Sequence, residues 1–280
     1  MLLNASGCLD ALTAPDVARS FDAFVTKTVT PEPREGNEPV RIAETDHGML
    51  NSIGLQNPGV DTFCSEVLPQ LQALGLPIWV SIGGFSAAEY AVCAASLNGH
   101  DEVVAVEINL SCPNVDEAPE SAAEIVAACR AATGLPLYAK LSPHLPDIAE
   151  AGRAVETAGA DGLSLVNTLR GLVFDERTLE PRLARRIGGY SGPALKPVAL
   201  AAVYACRRAT SLPIVGMGGV WSGRDAAELI AAGASAVALG TVLFTDPDAP
   251  ARIRQELQAF APVQSVPIPA THKNAAYQLN

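Results

Sequence analysis

The feature that most constrains the fold of this chain is an alternation that repeats eight times: a short β-branched run, then an alanine- and leucine-rich stretch with helical spacing. Repeated units of this kind form a parallel sheet covered by helices, and eight of them close a barrel. The predicted strands are 2–5, 23–27, 78–82, 103–109, 137–141, 162–166, 213–217 and 236–239. The predicted helices lie near 13–20, 62–74, 86–97, 119–132, 146–158, 196–209, 222–232 and 248–258. The sequence therefore predicts a single α/β domain over residues 1–262, a (β/α)8 TIM barrel.

Two long stretches interrupt this alternation. Residues 28–59 are rich in proline, glycine and charge, and residues 167–192 form a second excursion. Connections of this length in a compact domain are usually functional, so we expect the first to be a flap over one end of the barrel. Residues 263–280 lack a periodic pattern and are expected to form a loosely packed C-terminal tail.

Charge and cysteine content exclude several classes of protein. The net charge is −11, which disfavours binding to nucleic acid or to an anionic membrane surface. The six cysteines have no CxxC or Cys/His ligand spacing, and the four histidines share no spacing either, so neither a disulfide framework nor a metal site is expected. No stretch has the pattern of a signal peptide or a membrane span, and we expect a cytoplasmic protein.

Polar residues cluster where the predicted strands end. Lys27, Asn109 and Asn167 end or follow strands, Ser81 and Lys140 lie within them, and glycines follow the last two. The carboxyl ends of the strands carry the active site in barrel enzymes. Each lysine in an otherwise apolar strand calls for an anionic partner, although its side chain could instead extend to solvent.

Two glycine-containing loops predict a phosphate site. Gly216-Met217-Gly218-Gly219 follows the seventh strand and leads into a helix that opens with residues 222–225, and Gly240-Thr241 follows the eighth. Barrels commonly hold phosphate between these two loops, where backbone N–H groups can approach the anion closely. The glycines could alternatively serve only to allow tight turns.

The loop after the fourth strand combines amides with a thiol. Asn109 and Asn114 flank Cys112, and amides can both donate to and accept from a flat imide or amide ring. An accessible thiolate can act as a base for a proton next to a carbonyl. A lone cysteine is more often a small buried hydrophobic residue, but two neighbouring amides favour the functional interpretation.

Ten short blocks carry a family pattern: NASGC at 4–8, VTKT at 25–28, REGN at 34–37, NSIGLQNPG at 51–59, NLSCPNV at 109–115, YAKLSP at 138–143, VNT at 166–168, GGYSGPALKP at 188–197, GMGG at 216–219 and GT at 240–241. With them the chain resembles class 1 dihydroorotate dehydrogenases from Asn4 to about Pro247. The resemblance implies FMN as cofactor and the oxidation of dihydroorotate to orotate in pyrimidine biosynthesis.

The resemblance also implies roles for individual residues. Cys112 would remove the C5 proton of dihydroorotate while a hydride passes from C6 to the flavin, with Lys27 in contact with both molecules. Lys140 would stabilise negative charge on the reduced ring. The implied substrate-binding set is Lys27, Asn51, Ser52, Ile53, Gly54, Leu55, Asn109, Asn114, Asn167 and Thr168. The implied cofactor-binding set is Ser6, Lys27, Thr28, Ser81, Asn109, Lys140, Val166, Gly192, Gly218, Gly219, Gly240 and Thr241.

The segment from Arg34 to Gly59 resembles the NAD-linked subclass more than the fumarate-linked one. That subclass implies a partner subunit carrying FAD and a [2Fe–2S] cluster, and a homodimer or heterotetramer. This chain has no cysteine cluster for iron–sulfur and no dinucleotide fingerprint of its own, so electrons would leave through a partner or a soluble acceptor.

Two alternatives remain at this stage. The chain could be an oxidoreductase similar to dihydropyrimidine dehydrogenase, acting on another ring, although Asn114 argues against this. It could also be a flavin- or phosphate-binding barrel without catalysis, since the loop after Val115 is short. The retention of Cys112, Lys27 and the asparagines argues against a loss of activity.

Overall fold

Eight parallel strands form the body of the molecule. The computed structural model describes residues 1–110 and 121–260 of the chain. In this part of the chain the barrel strands are β1 (Leu2–Asn4), β2 (Phe24–Val25), β5 (Ile78–Ile82), β6 (Val103–Asn109), β7 (Leu137–Leu141), β8 (Gly162–Leu165), β11 (Ile214–Met217) and β12 (Ala236–Leu239). Their order is β1-β12-β11-β8-β7-β6-β5-β2, and a parallel bridge between Leu3 and Ala23 closes the ring. The predicted (β/α)8 barrel is confirmed.

Helices cover the outside of the barrel. They are α1 (Pro15–Arg19), α2 (Val60–Thr62), a π-helical turn (Phe63–Val67), α3 (Leu68–Gln72), α4 (Ala87–Ser96), α5 (Ala122–Ala132), α6 (Ile148–Thr157), α7 (Lys196–Ala209), α8 (Gly223–Ala232) and α9 (Ala249–Gln258). Four of them begin at a side chain that accepts a hydrogen bond from the first turn: Ser86, Ser121, Asp147 and Ser222. Such caps satisfy N–H groups that the helix itself leaves unpaired. No helix among these residues has the length and apolar character needed to cross a bilayer.

Aromatic rings fill the lower interior of the barrel. Trp79 and Tyr138 pack with ring centroids 4.3 Å apart. Gly162 leaves room for this pair, because a Cβ there would lie 2.2 Å from a ring carbon of Tyr138. Side chains alternate along each strand, so the interior above these rings is lined by every second residue.

The two predicted excursions come together in a second sheet. Residues 28–59 contain the hairpin β3 (Ile42–Thr45) and β4 (Gly48–Asn51), and residues 167–192 contain β9 (Leu169–Leu172) and β10 (Ile187–Ser191). These strands form an antiparallel sheet in the order β3-β4-β10-β9. The sequence analysis missed this sheet, since its central pairing joins segments more than 130 residues apart. The tail predicted over 263–280 lies outside the described residues, and the domain boundary at 262 stays a prediction.

Candidate active site

A cavity of about 510 Å³ lies between the carboxyl ends of the barrel strands and the second sheet. Barrel loops supply one side of it, and β3, β4 and β10 supply residues of the opposite side. This is the volume typical of cofactor and small-ligand sites. The predicted flap thus forms one wall of the cavity.

The cavity brings together almost all of the residues that the sequence analysis singled out. The lining includes Ser6, Lys27, Thr28, Asn51, Ser52, Ile53, Gly54, Leu55, Asn109, Lys140, Val166, Asn167, Thr168, Gly192, Gly218, Gly219, Gly240 and Thr241. Ser81 does not line it; it is fully buried, and its hydroxyl lies 2.9 Å from Thr28 Oγ1. Cys112 and Asn114 lie outside the described residues.

A chain of polar side chains runs across the barrel mouth. Asn167 Nδ2 donates to Asn109 Oδ1 at 3.1 Å, and Asn109 Nδ2 donates to Thr28 Oγ1 at 3.2 Å. The Thr28 hydroxyl also lies 3.3 Å from Ser6 Oγ. Asn167 Oδ1 in turn accepts the N–H of Thr168 at 2.8 Å. These contacts fix the orientation of both amides before any ligand is present, which reduces the entropy lost on binding.

The opposite wall is held by a buried asparagine that the sequence analysis missed. Asn37 Nδ2 donates to the carbonyl and the hydroxyl of Ser52, at 3.0 and 2.9 Å. The backbone N–H of Asn37 donates to the carbonyl of Ile53. Asn51 Nδ2 donates to the carbonyl of Gly189 on β10 at 3.3 Å. Gly54 has a φ of +79° and packs against Asn37, where a Cβ would lie 2.6 Å away. The four consecutive residues 51–54 are therefore fixed by contacts outside the barrel proper.

Charged groups meet beneath the cavity. Lys140 Nζ lies 3.2 Å from Glu107 Oε1, and both side chains are buried. Burial raises the pKa of Cys8, a cavity-lining thiol, while the nearby charges of Lys140 and Lys27 act to lower it. The sequence analysis missed Glu107 and Cys8. Glu107 carried the same signal that marked the lysines, a charge within an apolar strand.

Arginines of the second sheet lie at the mouth of the cavity. Arg170 on β9 and Arg185 just before β10 both line it and are largely exposed to solvent. The sequence analysis did not select either residue, because neither lies at the end of a barrel strand. They add positive charge where a ligand would enter.

The start of α8 is not available to an anion. Asp225 accepts the N–H groups of Trp221 and Ser222 at 2.9 and 2.8 Å, and Glu256 accepts that of Gly223 at 2.6 Å. The expectation that this helix start offers free N–H groups is therefore wrong for Ser222 and Gly223, because acidic side chains already accept theirs, and for Asp225, whose N–H donates to the Ser222 hydroxyl. The glycine loops themselves remain suited to an anion, since Gly218, Gly219 and Gly240 present bare backbone to the cavity.

Comparisons with known proteins agree with this geometry. A family model described as dihydroorotate dehydrogenase matches residues 1–261. A dihydroorotate dehydrogenase B (NAD(+)) catalytic subunit from Trichlorobacter lovleyi is 46% identical over 245 residues, covering 85% of this chain and 81% of the relative. One from Bacillus cereus is 42% identical over 271 residues, covering 92% and 87%.

A solved structure supports the fold independently. A DHODH from Eimeria tenella, crystallised in complex with ferulenol, has a TM-score of 0.75 with this chain at 24% identity, covering 92% of this chain and 80% of the other. The family model and the two relatives span nearly all of the barrel and the second sheet. The chain belongs to the dihydroorotate dehydrogenase family.

Proposed function

We propose that the chain oxidises dihydroorotate to orotate in pyrimidine biosynthesis and uses FMN as its cofactor. The observation that carries the proposal is the oriented chain of amides and hydroxyls from Asn167 to Ser6, which faces a cavity that two lysines also line. A flat ring with imide groups and a carboxylate needs such donors and acceptors around its edge.

The cavity suits FMN by the chemistry of its donors. Lys27 and Lys140 can donate to the polar edge of a flavin, while Thr28 and Asn109 add hydroxyl and amide groups. Gly218 and Gly219 have left-handed φ values and pack closely against α7, since a Cβ would lie 3.0 Å from Ala199 and 2.6 Å from the backbone nitrogen of Lys196. With Gly240 they line the cavity with backbone that a phosphate can approach. We assign the phosphate to these glycines and Thr241, with Ser6, Val166 and Gly192 completing the cofactor set.

The reaction then needs a base on this chain and a hydride acceptor in the cofactor. Dihydroorotate loses a proton from C5 and a hydride from C6 as the C5=C6 double bond of orotate forms. The Cys112 thiolate, assigned from sequence, takes the C5 proton. FMN, when bound, supplies the acceptor for the hydride. Asn51, Asn109, Asn114, Asn167 and Thr168 orient the ring, with residues 52–55 covering it, and Lys27 binds the substrate carboxylate.

Electrons leave through a second subunit in this proposal. The relatives are named as catalytic subunits of NAD(+)-linked enzymes, which implies a partner for each of them. We propose a partner with FAD and a [2Fe–2S] cluster, in a heterotetramer built on a dimer of this chain. The five cysteines that the structure describes are free thiols, which supports a reducing cytoplasm as the location.

The flavin spectrum tests the proposal directly. The purified chain should carry FMN absorbance that bleaches on anaerobic addition of dihydroorotate. Cys112→Ala should retain FMN and bleach about 100-fold more slowly or worse, as expected for loss of a general base. Cys64→Ala, at a half-buried cysteine that does not line the cavity, should bleach at the normal rate.

Three results would contradict it. Normal bleaching by Cys112→Ala would remove the base from the proposed mechanism. A spectral response to uracil but not to orotate would assign the site to another pyrimidine. Failure to bind FMN at all would point to a barrel without flavin chemistry.

A further inference from the structure

A buried carboxylate below the cavity has no part in the mechanism above. Glu107 is 1% exposed, and its partner Lys140 is 6% exposed, with Nζ and Oε1 3.2 Å apart. Glu107 does not line the cavity, whereas Lys140 does. Any influence of Glu107 on a bound ligand must therefore pass through Lys140 or through its electric field.

The strand register explains why the two side chains meet. On β6, Ala105 faces the barrel interior and Asn109 lines the cavity, so Glu107 lies between them on the same side of the strand. On β7, Lys140 stands opposite Asn109 and two residues above the interior ring of Tyr138. The pair thus separates the apolar barrel floor from the cavity.

A buried pair of this kind is weak evidence for a stabilising role. The cost of removing both charges from water commonly equals or exceeds the gain from their attraction, and apolar replacements are often as stable. Glu107 lies 3.2 Å from the Lys140 ammonium and holds it in place at the cavity.

We propose that Glu107 is a positioning residue that holds Lys140 against the bound flavin and, by offsetting its charge, sets the flavin's reduction potential. The inference rests on the proposed binding of FMN. Reduction adds negative charge to the cofactor, and a nearby positive charge favours the reduced form. The neutral Glu107–Lys140 pair gives less of this stabilisation than an unpaired ammonium would.

The test is the midpoint potential of the FMN holoprotein, measured by spectroelectrochemical titration. Glu107→Gln keeps the shape and an acceptor oxygen but removes the negative charge. It should raise the ratio of reduced to oxidised flavin at a fixed potential by about tenfold, a positive shift of about 30 mV for a two-electron couple. Lys140→Met should shift the potential in the negative direction.

The double variant separates a role through Lys140 from a direct effect of the carboxylate. Without Lys140, Glu107 has no ammonium to hold in place or to offset. Glu107→Gln should then shift the potential by less than half as much. Ser164→Ala is the matched control, since Ser164 is buried opposite Lys140, carries no charge and has no hydrogen-bond partner among the described residues.

Glu107→Asp keeps the test usable if the glutamine variant does not fold. It withdraws the carboxylate by one methylene and should give a smaller shift of the same sign. A double-mutant cycle provides a second readout that does not depend on activity. It compares the unfolding free energies of the FMN-free single and double variants at Glu107 and Lys140, and the difference from additivity measures their coupling.

The outcomes distinguish this inference from the proposed function. Wild-type protein that binds no FMN overturns both. Wild-type protein that bleaches with dihydroorotate, together with unchanged potentials in Glu107→Gln and Glu107→Asp, overturns only the role of Glu107. An equal shift in Ser164→Ala, or a full shift by Glu107→Gln in the absence of Lys140, also overturns it.

Discussion

Gly7 shows how one residue without a side chain shapes the site. Its φ is +76°, and a Cβ added there would lie 2.9 Å from Cδ of Lys27. The stem of Lys27 therefore runs along the backbone of the loop after β1. The position of the Lys27 ammonium in the cavity depends on this contact.

Gly7→Ala should weaken orotate binding about tenfold, because Lys27 is displaced from its place beside the substrate and a polar contact is worth about 1–3 kcal/mol. The substitution should also lower the free energy of unfolding by about 1 kcal/mol, because alanine is strained in the left-handed backbone conformation of Gly7. Spectral titration of the flavin with orotate measures the first effect, and urea unfolding measures the second.

Gly75→Ala provides the matched control, since Gly75 has a φ of +70° and nothing within 4 Å of an added Cβ. It should lose similar stability and bind orotate normally. If both variants bind orotate with unchanged affinity, the position of Lys27 does not depend on Gly7.

Some residues of the candidate site could be identified from the sequence, and others could not. Lys27 and Lys140 were identified because charge is costly in an apolar strand. Glu107 met the same criterion, but the sequence did not show that its partner is Lys140. The pairing of β6 with β7, in which Asn109 lies opposite Lys140, brings the two charged side chains together. Asn37 lies in the REGN block but was given no role, because its role depends on a contact with Ser52 across an irregular loop.

The second sheet positions residues on both walls of the cavity. Asn51 on β4 donates to Gly189 on β10, and a Cβ at Gly189 would lie 2.2 Å from Thr168 Oγ1. Thr168 and Asn51 are both in the proposed substrate set. The contact of β4 with β10 therefore couples one wall to the other.

Gly189→Ala should push Thr168 away and weaken orotate binding about tenfold or more, with an overpacking cost of about 1–3 kcal/mol. Flavin-monitored titration with orotate and thermal unfolding report the two effects. Gly171→Ala in the same sheet should be milder, because its nearest neighbour is a flexible Leu50 side chain at 3.2 Å. Equal loss of affinity in both variants would show a general weakening of the sheet instead.

A charged cluster joins the starts of α7 and α8. Lys196 Nζ lies 2.6 Å from Asp225 and 2.8 Å from Glu228. Burial acts to raise the pKa of Asp225, but hydrogen bonds from Lys196, Ser222 and the Trp221 N–H outweigh it and lower the pKa below 3.8. The Lys196 hydrogen bond likewise lowers the pKa of Glu228 below 4.5.

These lowered pKa values predict a loss of stability in acid. A carboxyl group whose pKa is lowered by folding stabilises the protein above its unfolded pKa, and this contribution disappears as pH falls through the folded value. Asp225→Asn should cost about 1–3 kcal/mol near pH 7, from lost charged hydrogen bonds, and progressively less below about pH 4.

Urea unfolding of wild type and variant at several pH values measures this difference. Asp16→Asn, at an aspartate in α1 that is almost fully exposed, should have little effect at any pH. A deficit of constant size in Asp225→Asn from pH 7 to pH 3 would show that charge is not responsible.

Regular elements were predicted more closely than irregular ones. The strands β5, β6, β7 and β12 begin and end at the predicted residues, because each is a mostly apolar run bounded by turn residues. The predicted strand 23–27 shortens to Phe24–Val25. The second sheet could not be predicted, since β9 contains an arginine and a glycine, β10 contains two glycines, and neither sequence alternates between apolar and polar residues.

The whole molecule carries a net charge of −11, yet its proposed substrate is an anion. The long-range field of the protein therefore opposes the approach of dihydroorotate. Arg170 and Arg185 at the cavity mouth lie where they can offset this repulsion. Substrate capture should accordingly depend on these charges and on ionic strength.

Arg185→Glu should lower kcat/KM for dihydroorotate about tenfold in dilute buffer with little change in kcat. The loss should shrink near 1 M salt, where the screening length falls to about 3 Å. Arg208→Glu makes the same charge change on the exposed side of α7 and should have a much smaller effect. Similar losses in both variants would attribute the effect to total charge rather than to the cavity mouth.

The pairing of β1 with β12 determines when the cofactor site can form during synthesis of the chain. The first strand pairs with the last, the N–H of Ala5 donates to Leu239 at 2.7 Å, and a Cβ on Gly240 would lie 3.4 Å from Cys8 Sγ. The proposed cofactor residues run from Ser6 to Thr241, so the first of them is translated about 230 residues before the last. A nascent chain on the ribosome cannot complete this site until β12 has emerged, so loading of the cofactor must follow synthesis of all eight barrel strands.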